Sequence, residues 1–196
     1  AYIHSIQQIV TIDDAGRCQL WKIDSSSSPP VLVNCEQKGR NHNDDIVGKG
    51  RPCQISVSPD GSMFAFLATD RQIRIFNVST GKLYRRYDES LQFYKTAFES
   101  GKLKWCTTDR FEKMLQSEAD LEKTPYFGMQ RVQFDSSSRI LLFPSPFGIK
   151  SVDLETNKPI ATFGRNEAVR FISPCLRQEG ARLESDVTLE LLASDN

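Results

Sequence analysis

Three stretches of this chain share one layout: an apolar segment, a turn, a second apolar segment, another turn. That repeat constrains the fold more than any single motif. The clearest copy covers residues 54–87. Gln54-Ile-Ser-Val-Ser58 reads as a strand closed by Ser58-Pro-Asp-Gly61, where proline presets φ and glycine accepts the tight geometry. Residues 63–68 make a second strand, Asp70-Arg-Gln72 a turn, and Ile73-Arg-Ile-Phe-Asn-Val78 a third strand. Ser79-Thr-Gly-Lys82 turns again, and residues 83–87 begin a fourth strand.

Residues 129–164 repeat the layout, with strands over 131–134, 139–143, 149–154 and 160–163. Thr80-Gly-Lys82 matches Thr156-Asn-Lys158 and Ile73 matches Ile149 at the same separation, while Val57 matches Phe134 with one residue gapped. An earlier copy shows in Ile9-Val-Thr-Ile12, a turn around Asp14-Ala-Gly16, and Cys18-Gln-Leu-Trp-Lys-Ile23. A fourth copy is expected to start at Ala168-Val-Arg-Phe-Ile172 and to break off after residues 186–192. Four short antiparallel strands with turns between them form one blade of a β-propeller. The expected fold class is therefore all-β, a WD40-type β-propeller fragment of about three to four blades, where a closed propeller has ~4–8. The chain divides into a partial blade at 1–33, a polar loop at 34–51, a blade at 52–88, a helical insertion at 89–127, a blade at 128–167 and an incomplete blade at 168–196. The insertion is heavily charged and carries apolar residues at helical intervals, namely Leu91, Tyr94 and Phe98, then Phe111, Met114, Leu115 and Leu121. A generic β-sandwich is the competing architecture. The start at Ala1 and the incomplete blade count together predict a truncated piece of a longer protein.

Charge excludes some function classes. With 25 basic and 25 acidic side chains, the chain lacks the basic surplus of a phosphate-driven nucleic-acid binder. No apolar run approaches the ~18–20 residues that span a bilayer, and no secretion signal opens the chain. The cysteines (Cys18, Cys35, Cys53, Cys106, Cys175) are odd in number, widely spaced and free of any C-x-x-C, which argues against a disulfide framework or a zinc site. His4 and His42 have no companions at ligand spacing, and neither a G-x-S-x-G elbow nor a phosphate-cradling glycine loop occurs. The paired carboxylates Asp13-Asp14 and Asp44-Asp45 read as solvated turn charges, Phe147-Gly148-Ile149 as a turn, and the sequon Asn77-Val78-Ser79 as a chance triplet. No catalytic residue, cofactor or metal site is expected.

Trp21-Lys22 and Phe76-Asn77 stand where a WD repeat carries its Trp-Asp pair, with Asp70 at the turn position three residues before Ile73. Trp21, Asp70, Phe76 and Asn77 are thus candidate structural positions, the aromatic wedging between blades and the aspartate fixing a turn. The equivalents of Asp70 elsewhere are Ala15 and Pro146, so that polar feature is incomplete. The pair Pro144 and Pro146 predicts that the strand there joins no long ladder. Two readings of the insertion stay open: its apolar face covers the fold's own edge, or it offers a face to a partner helix-in-groove fashion. Candidate partner contacts are Asn41, Asp45 and Lys49 in the polar loop, and Phe98, Trp105 and Phe111 in the insertion.

Taken together, Ser58-Pro-Asp-Gly61, Asp70-Arg-Gln-Ile-Arg-Ile-Phe76, Thr80-Gly-Lys-Leu83 and Asp88-Glu-Ser-Leu91 resemble the late propeller repeats of the WD-repeat cyclophilins. Beyond the insertion the likeness continues through Phe147-Gly-Ile-Lys150, Val152-Asp-Leu-Glu-Thr-Asn157, Phe163-Gly-Arg-Asn-Glu167 and Val169-Arg170. The resemblance, over roughly residues 50–196, implies a nuclear peptidyl-prolyl isomerase with spliceosomal protein partners, while the charge balance and the lack of a long apolar run speak against direct contact with nucleic acid or membrane. The cyclophilin signature, a Phe-His-Arg followed by Phe-Met-x-Gln, does not occur here, so no isomerase residue is assigned. The expectation is a protein-interaction scaffold, not itself an enzyme, with the catalytic domain elsewhere. Two alternatives remain: a WD40 adaptor of an unrelated trafficking or ubiquitin-ligase complex, and an enzyme in its own right.

Overall fold

A computed structural model describes residues 1–13, 18–22, 31–33, 50–167 and 169–176. Three four-stranded antiparallel sheets follow one another along the chain, each a meander of sequence neighbours. The first holds β1 (Tyr2–Ile3), β2 (Gln8–Ile12), β3 (Cys18–Lys22) and β4 (Val31–Val33). The second holds β5 (Pro52–Val57), β6 (Met63–Ala68), β7 (Gln72–Asn77) and β8 (Leu83–Asp88). Two helices, α1 (Leu91–Glu99) and α2 (Thr108–Glu122), precede the third sheet: β9 (Gln133–Phe134), β10 (Ile140–Ser145), β11 (Gly148–Asp153) and β12 (Lys158–Phe163). The protein is mostly β-sheet, and its described sheets form no closed barrel. No helix among the described residues is long and apolar enough to cross a membrane.

Local chemistry explains the strand ends. In the β5–β6 turn the Ser58 hydroxyl donates to Asp60 Oδ1 (2.6 Å), and the Asp60 carboxylate accepts from Ser62 N–H (3.0 Å). Burial pushes the Asp60 pKa up, but the hydrogen bonds from Ser58 and Ser62 outweigh it and hold the carboxyl below its ordinary value. Gly61 sits at φ +73°, and a Cβ there would lie 1.9 Å from Ser5 Oγ, so glycine serves both the turn and a close approach of the first sheet. The β7–β8 turn has Gly81 at φ +63°, and its counterpart between β11 and β12 has Asn157 at φ +57°. Asparagine is among the few residues besides glycine that tolerate the left-handed region.

The middle sheet is buried on both faces, so β6 reads as the continuous apolar run Met-Phe-Ala-Phe-Leu-Ala rather than as an alternation. One face packs Phe64, Phe66 and Phe76 against Ile3, Val10 and Leu20 of the first sheet. The other packs Ala65, Leu67, Ile73 and Ile75 against Val132, Phe134, Leu141, Phe143, Val152 and Leu154 around the third. Phe76 stacks on Phe64 and Phe66 at centroid distances of 5.2 and 5.8 Å. Polar bonds add register between the second and third sheets: Asp60 N–H donates to Ser138 Oγ (3.1 Å) and Tyr87 OH to Asn157 Oδ1 (2.9 Å).

Two expectations from the sequence need correction. The prolines do not cut short the strand at Pro144: β10 pairs with β11 without interruption from Ile140↔Asp153 to Ser145↔Gly148. On the other side of β10, β9 reaches only Leu141 and Leu142, so no strand there asks Pro144 for the N–H it lacks. Nor do residues 169–176 begin a fourth strand; Ile172 instead accepts a backbone bond from Arg131 N–H at 3.4 Å. The turn at residues 14–16 and the segment 186–192 lie outside the described residues, as does the polar loop over 34–49.

Replacing Phe76 with alanine removes the ring that joins the first two sheets. Urea denaturation of Phe76→Ala should show a loss of about 3–5 kcal/mol, and Phe76→Leu a clearly smaller one. Equal, small losses would mean that the two sheets do not share this core.

Candidate functional site

Both helices are placed by their caps. Ser90 Oγ accepts from Phe93 N–H (3.2 Å) at the start of α1, and Thr107 Oγ1 accepts from Arg110 N–H (3.4 Å) at the start of α2. Their apolar faces turn inward, where Tyr94, Cys106, Phe111 and Met114 bury themselves around Phe147 from the β10–β11 connection. Phe98 stacks on Phe111 at 4.3 Å.

A fully buried carboxylate holds α2 to the sheets. Glu118 is 0% exposed and accepts hydrogen bonds from Arg71 in the β6–β7 turn and from Arg170 beyond the third sheet. Arg71 also reaches Glu122 (2.7 Å) and lies over the Phe127 ring at 4.8 Å; Arg170 Nη2 donates to Gln130 Oε1 (2.9 Å). Burial lowers the pKa of Arg170, and the charge and hydrogen bond of Glu118 oppose that shift. A second buried set lies beside it. Lys150 Nζ pairs with Glu89 Oε1 at 2.6 Å, and the Tyr94 hydroxyl donates to Glu89 Oε2. Burial raises the Glu89 pKa against the pull of Lys150, and raises that of Tyr94 well above its ordinary value with help from Glu89.

A cleft of about 550 Å³ opens between the first half of α2, the β10–β11 connection and residues 165–167 and 169–170. Met114, Pro146, Phe147 and Val169 give it an apolar lining. Thr107, Asp109, Arg110, Lys113 and Ser117 line it from α2, and Arg165, Asn166, Glu167 and Arg170 from the facing segment. Trp105 adjoins the cleft at 38% exposure, edge-on to Phe147 at 5.0 Å. The guanidinium carbons of Arg110 and Arg165 lie 5.2 and 5.0 Å from its ring centre. Apolar surface beside fixed cations can seat a peptide segment.

The residues singled out in the sequence fall in separate places. Phe98 and Phe111 face the protein's own interior, Phe111 at 7% exposure, and only Trp105 presents surface near the cleft. Asn41, Asp45 and Lys49 lie outside the described residues, as does His42. Trp21 in β3 donates from Nε1 to Thr11 Oγ1 (3.0 Å). Asp70 takes both guanidinium nitrogens of the buried Arg74, at 3.1 and 2.6 Å, and Asn77 Oδ1 accepts from Ser79 and Thr80 in the β7–β8 turn. The sequence reading gave Arg110 and Arg165 no role and took Phe147 as part of a turn, because only the chain path from α2 to the far side of β12 brings them together.

What the sheets and helices carry is a chain whose homologues are peptidyl-prolyl cis-trans isomerases of the cyclophilin family. The peptidyl-prolyl cis-trans isomerase cyp15 of Rhizopus delemar is 30% identical over 191 residues, 96% of this chain and 30% of that protein. The human peptidylprolyl isomerase domain and WD repeat-containing protein 1 is 30% identical over 192 residues, 96% of this chain and 29% of that protein. The peptidyl-prolyl cis-trans isomerase CYP71 of Arabidopsis thaliana is 33% identical over 173 residues, 87% of this chain. The chain thus spans about three-tenths of the length of these relatives. No protein-family model matches it.

These comparisons overturn the expectation of a scaffold that is not an enzyme and whose isomerase lies elsewhere: the relatives that align over 96% of this chain are isomerases. The reading of an unrelated trafficking or ubiquitin-ligase adaptor has nothing to support it beside them. The non-enzyme expectation rested on two absences: a constellation of nucleophile, base or metal, which turning an X–Pro bond does not need because no covalent bond breaks, and the Phe-His-Arg and Phe-Met-x-Gln signature, which does not occur in this sequence.

Two measurements check the buried carboxylates. Glu118→Ala leaves Arg71 and Arg170 facing each other without their anion, and urea unfolding should show a loss of about 3–5 kcal/mol; a loss below about 1 kcal/mol would mean that water reaches the site. For Glu89 the folded state holds its proton to higher pH than the unfolded chain does. Its contribution to stability is therefore complete below the ordinary carboxylate value of about 4.3 and declines as pH rises through the raised folded value. The stability of the wild type relative to Glu89→Gln should fall as pH rises above about 4.3. A rise instead would show that the pair with Lys150 outweighs burial.

Proposed function

We propose that the protein carrying this chain is a peptidyl-prolyl cis-trans isomerase. The observation that carries this reading is the alignment of 96% of the chain with proteins of that name. The uncatalysed reaction is slow because resonance in the C–N bond sets a barrier of about 18–20 kcal/mol, although cis and trans differ by only about 0.5–1 kcal/mol. A catalyst need only seat the prolyl ring on apolar surface and direct a donor at the imide nitrogen, which draws its lone pair out of resonance with the carbonyl. The cleft supports such a role with Phe147 and Met114 as apolar surface and the guanidiniums of Arg110 and Arg165 as donors. A nuclear setting with spliceosomal partners, implied by the resemblance, belongs to the same proposal.

We also propose that the three sheets are successive blades of a WD-type propeller. What favours this over a two-layer sandwich is that three meanders of one strand order pack in series, the middle one covered on both faces. A crystal structure of a longer stretch of the protein, with further four-stranded sheets continuing beyond the first or the third, would bear this out.

The isomerase reading is tested by the cis-to-trans rate of an X–Pro peptide with residues 1–196 and, separately, with the whole protein. Acceleration by residues 1–196, reduced at least tenfold in Arg110→Ala or Arg165→Ala, places the chemistry in the cleft. Acceleration by the whole protein alone retains the activity and removes those arginines from it. No acceleration by either overturns the reading.

A further inference from the structure

We infer that the cleft beside Trp105 is a docking groove for an acidic peptide segment, one that sets carboxylates on its rim and an apolar side chain on its floor. The first argument is charge. The cations that reach the interior around the helices are matched: Arg71 and Arg170 by Glu118, Arg74 by Asp70, Lys150 by Glu89. Arg110, Lys113 and Arg165 gather on the cleft without an ion pair among the described residues. A basic surplus does not explain this, since the chain has 25 basic and 25 acidic residues.

The second argument is geometry. Arg110 and Arg165 both approach the Trp105 ring, at 5.2 and 5.0 Å, although they come from opposite walls. Two like charges drawn to one ring repel each other, and a nearby anion relieves that repulsion. Carboxylates suit guanidinium forks, which bind them bidentately. The rim also lies within the first turns of α2, where the helix dipole favours negative charge.

The third argument selects a peptide over a nucleic acid. The floor is Met114, Phe147 and Pro146, and Asp109 and Glu167 stand among the cations. A polyphosphate would meet both carboxylates at close range, whereas a peptide that alternates acidic and apolar side chains can place each against its complement. A volume of about 550 Å³ seats a few residues.

The inference concerns the cleft that the isomerase reading uses, but binding is read apart from turnover, so either can fail alone. The probe is a fluorescein-labelled peptide alternating Asp or Glu with Leu and Pro, followed by anisotropy with the whole protein. A Lys-for-Asp/Glu counterpart and a single-stranded oligouridylate of matching charge serve as comparisons. The acidic peptide should bind at least tenfold tighter than its basic counterpart, and more weakly at raised salt. Lys113→Glu and Arg165→Glu, both at exposed positions, should each weaken binding at least tenfold, whereas Asp109→Lys should tighten it. Gain and loss in opposite directions cannot both come from misfolding. Equal binding of the two peptides, or no change in any variant, would overturn the inference. Tighter binding of oligouridylate would assign the groove to nucleic acid instead.

Discussion

The carboxylate of Glu118 is the point on which the rest of the arrangement depends. It is fully buried, yet it takes Arg71 from a turn of the middle sheet and Arg170 from the chain beyond the third. A buried ion of this kind is costly in isolation and tolerable only when every lone pair finds a donor. That requirement fixes where α2 lies against both sheets. Arg170 in turn brings residues 165–167 and 169–170 opposite α2, and the cleft is the space left between them.

Around this polar hub the packing is ordinary sheet-on-sheet burial. The middle sheet can be apolar on both faces because a neighbouring sheet covers each one, with Phe64, Phe66 and Phe76 on one side and Ala65, Leu67, Ile73 and Ile75 on the other. The helices extend the same logic. Their apolar stripe closes over Phe147, a residue of the β10–β11 connection, so the face that a sequence reading could offer to a partner is occupied by the protein itself. Trp105 and the cations beside it remain outward, as does Phe93 of α1.

The proposed isomerase activity asks something different of such a surface. Covalent catalysis leaves a signature of nucleophile, base and orienting acid that can be sought in a sequence. Bond rotation leaves no such signature, because it asks only for shape, exclusion of water and a well-aimed donor. The lack of a covalent-catalysis motif was therefore weak ground for setting enzymatic chemistry aside, and the similarity to proteins named as isomerases corrects that expectation.

Much of the local structure was legible in the residues. The repeated strand–turn layout, the Ser58-Pro-Asp-Gly61 turn, the match of Gly81 to Asn157 and the helical spacing of Leu91, Tyr94 and Phe98 are short-range properties set by backbone sterics and side-chain period. The sequence by itself determined the sheets as meanders and the insertion as helical for that reason. The tertiary structure alone decided that Pro144 sits in an unbroken β10–β11 ladder, that Glu118 meets two arginines, and that Arg110 and Arg165 share one tryptophan. Each of those facts joins groups far apart in the chain or depends on how far a neighbouring strand extends, and neither periodicity nor spacing carries such information.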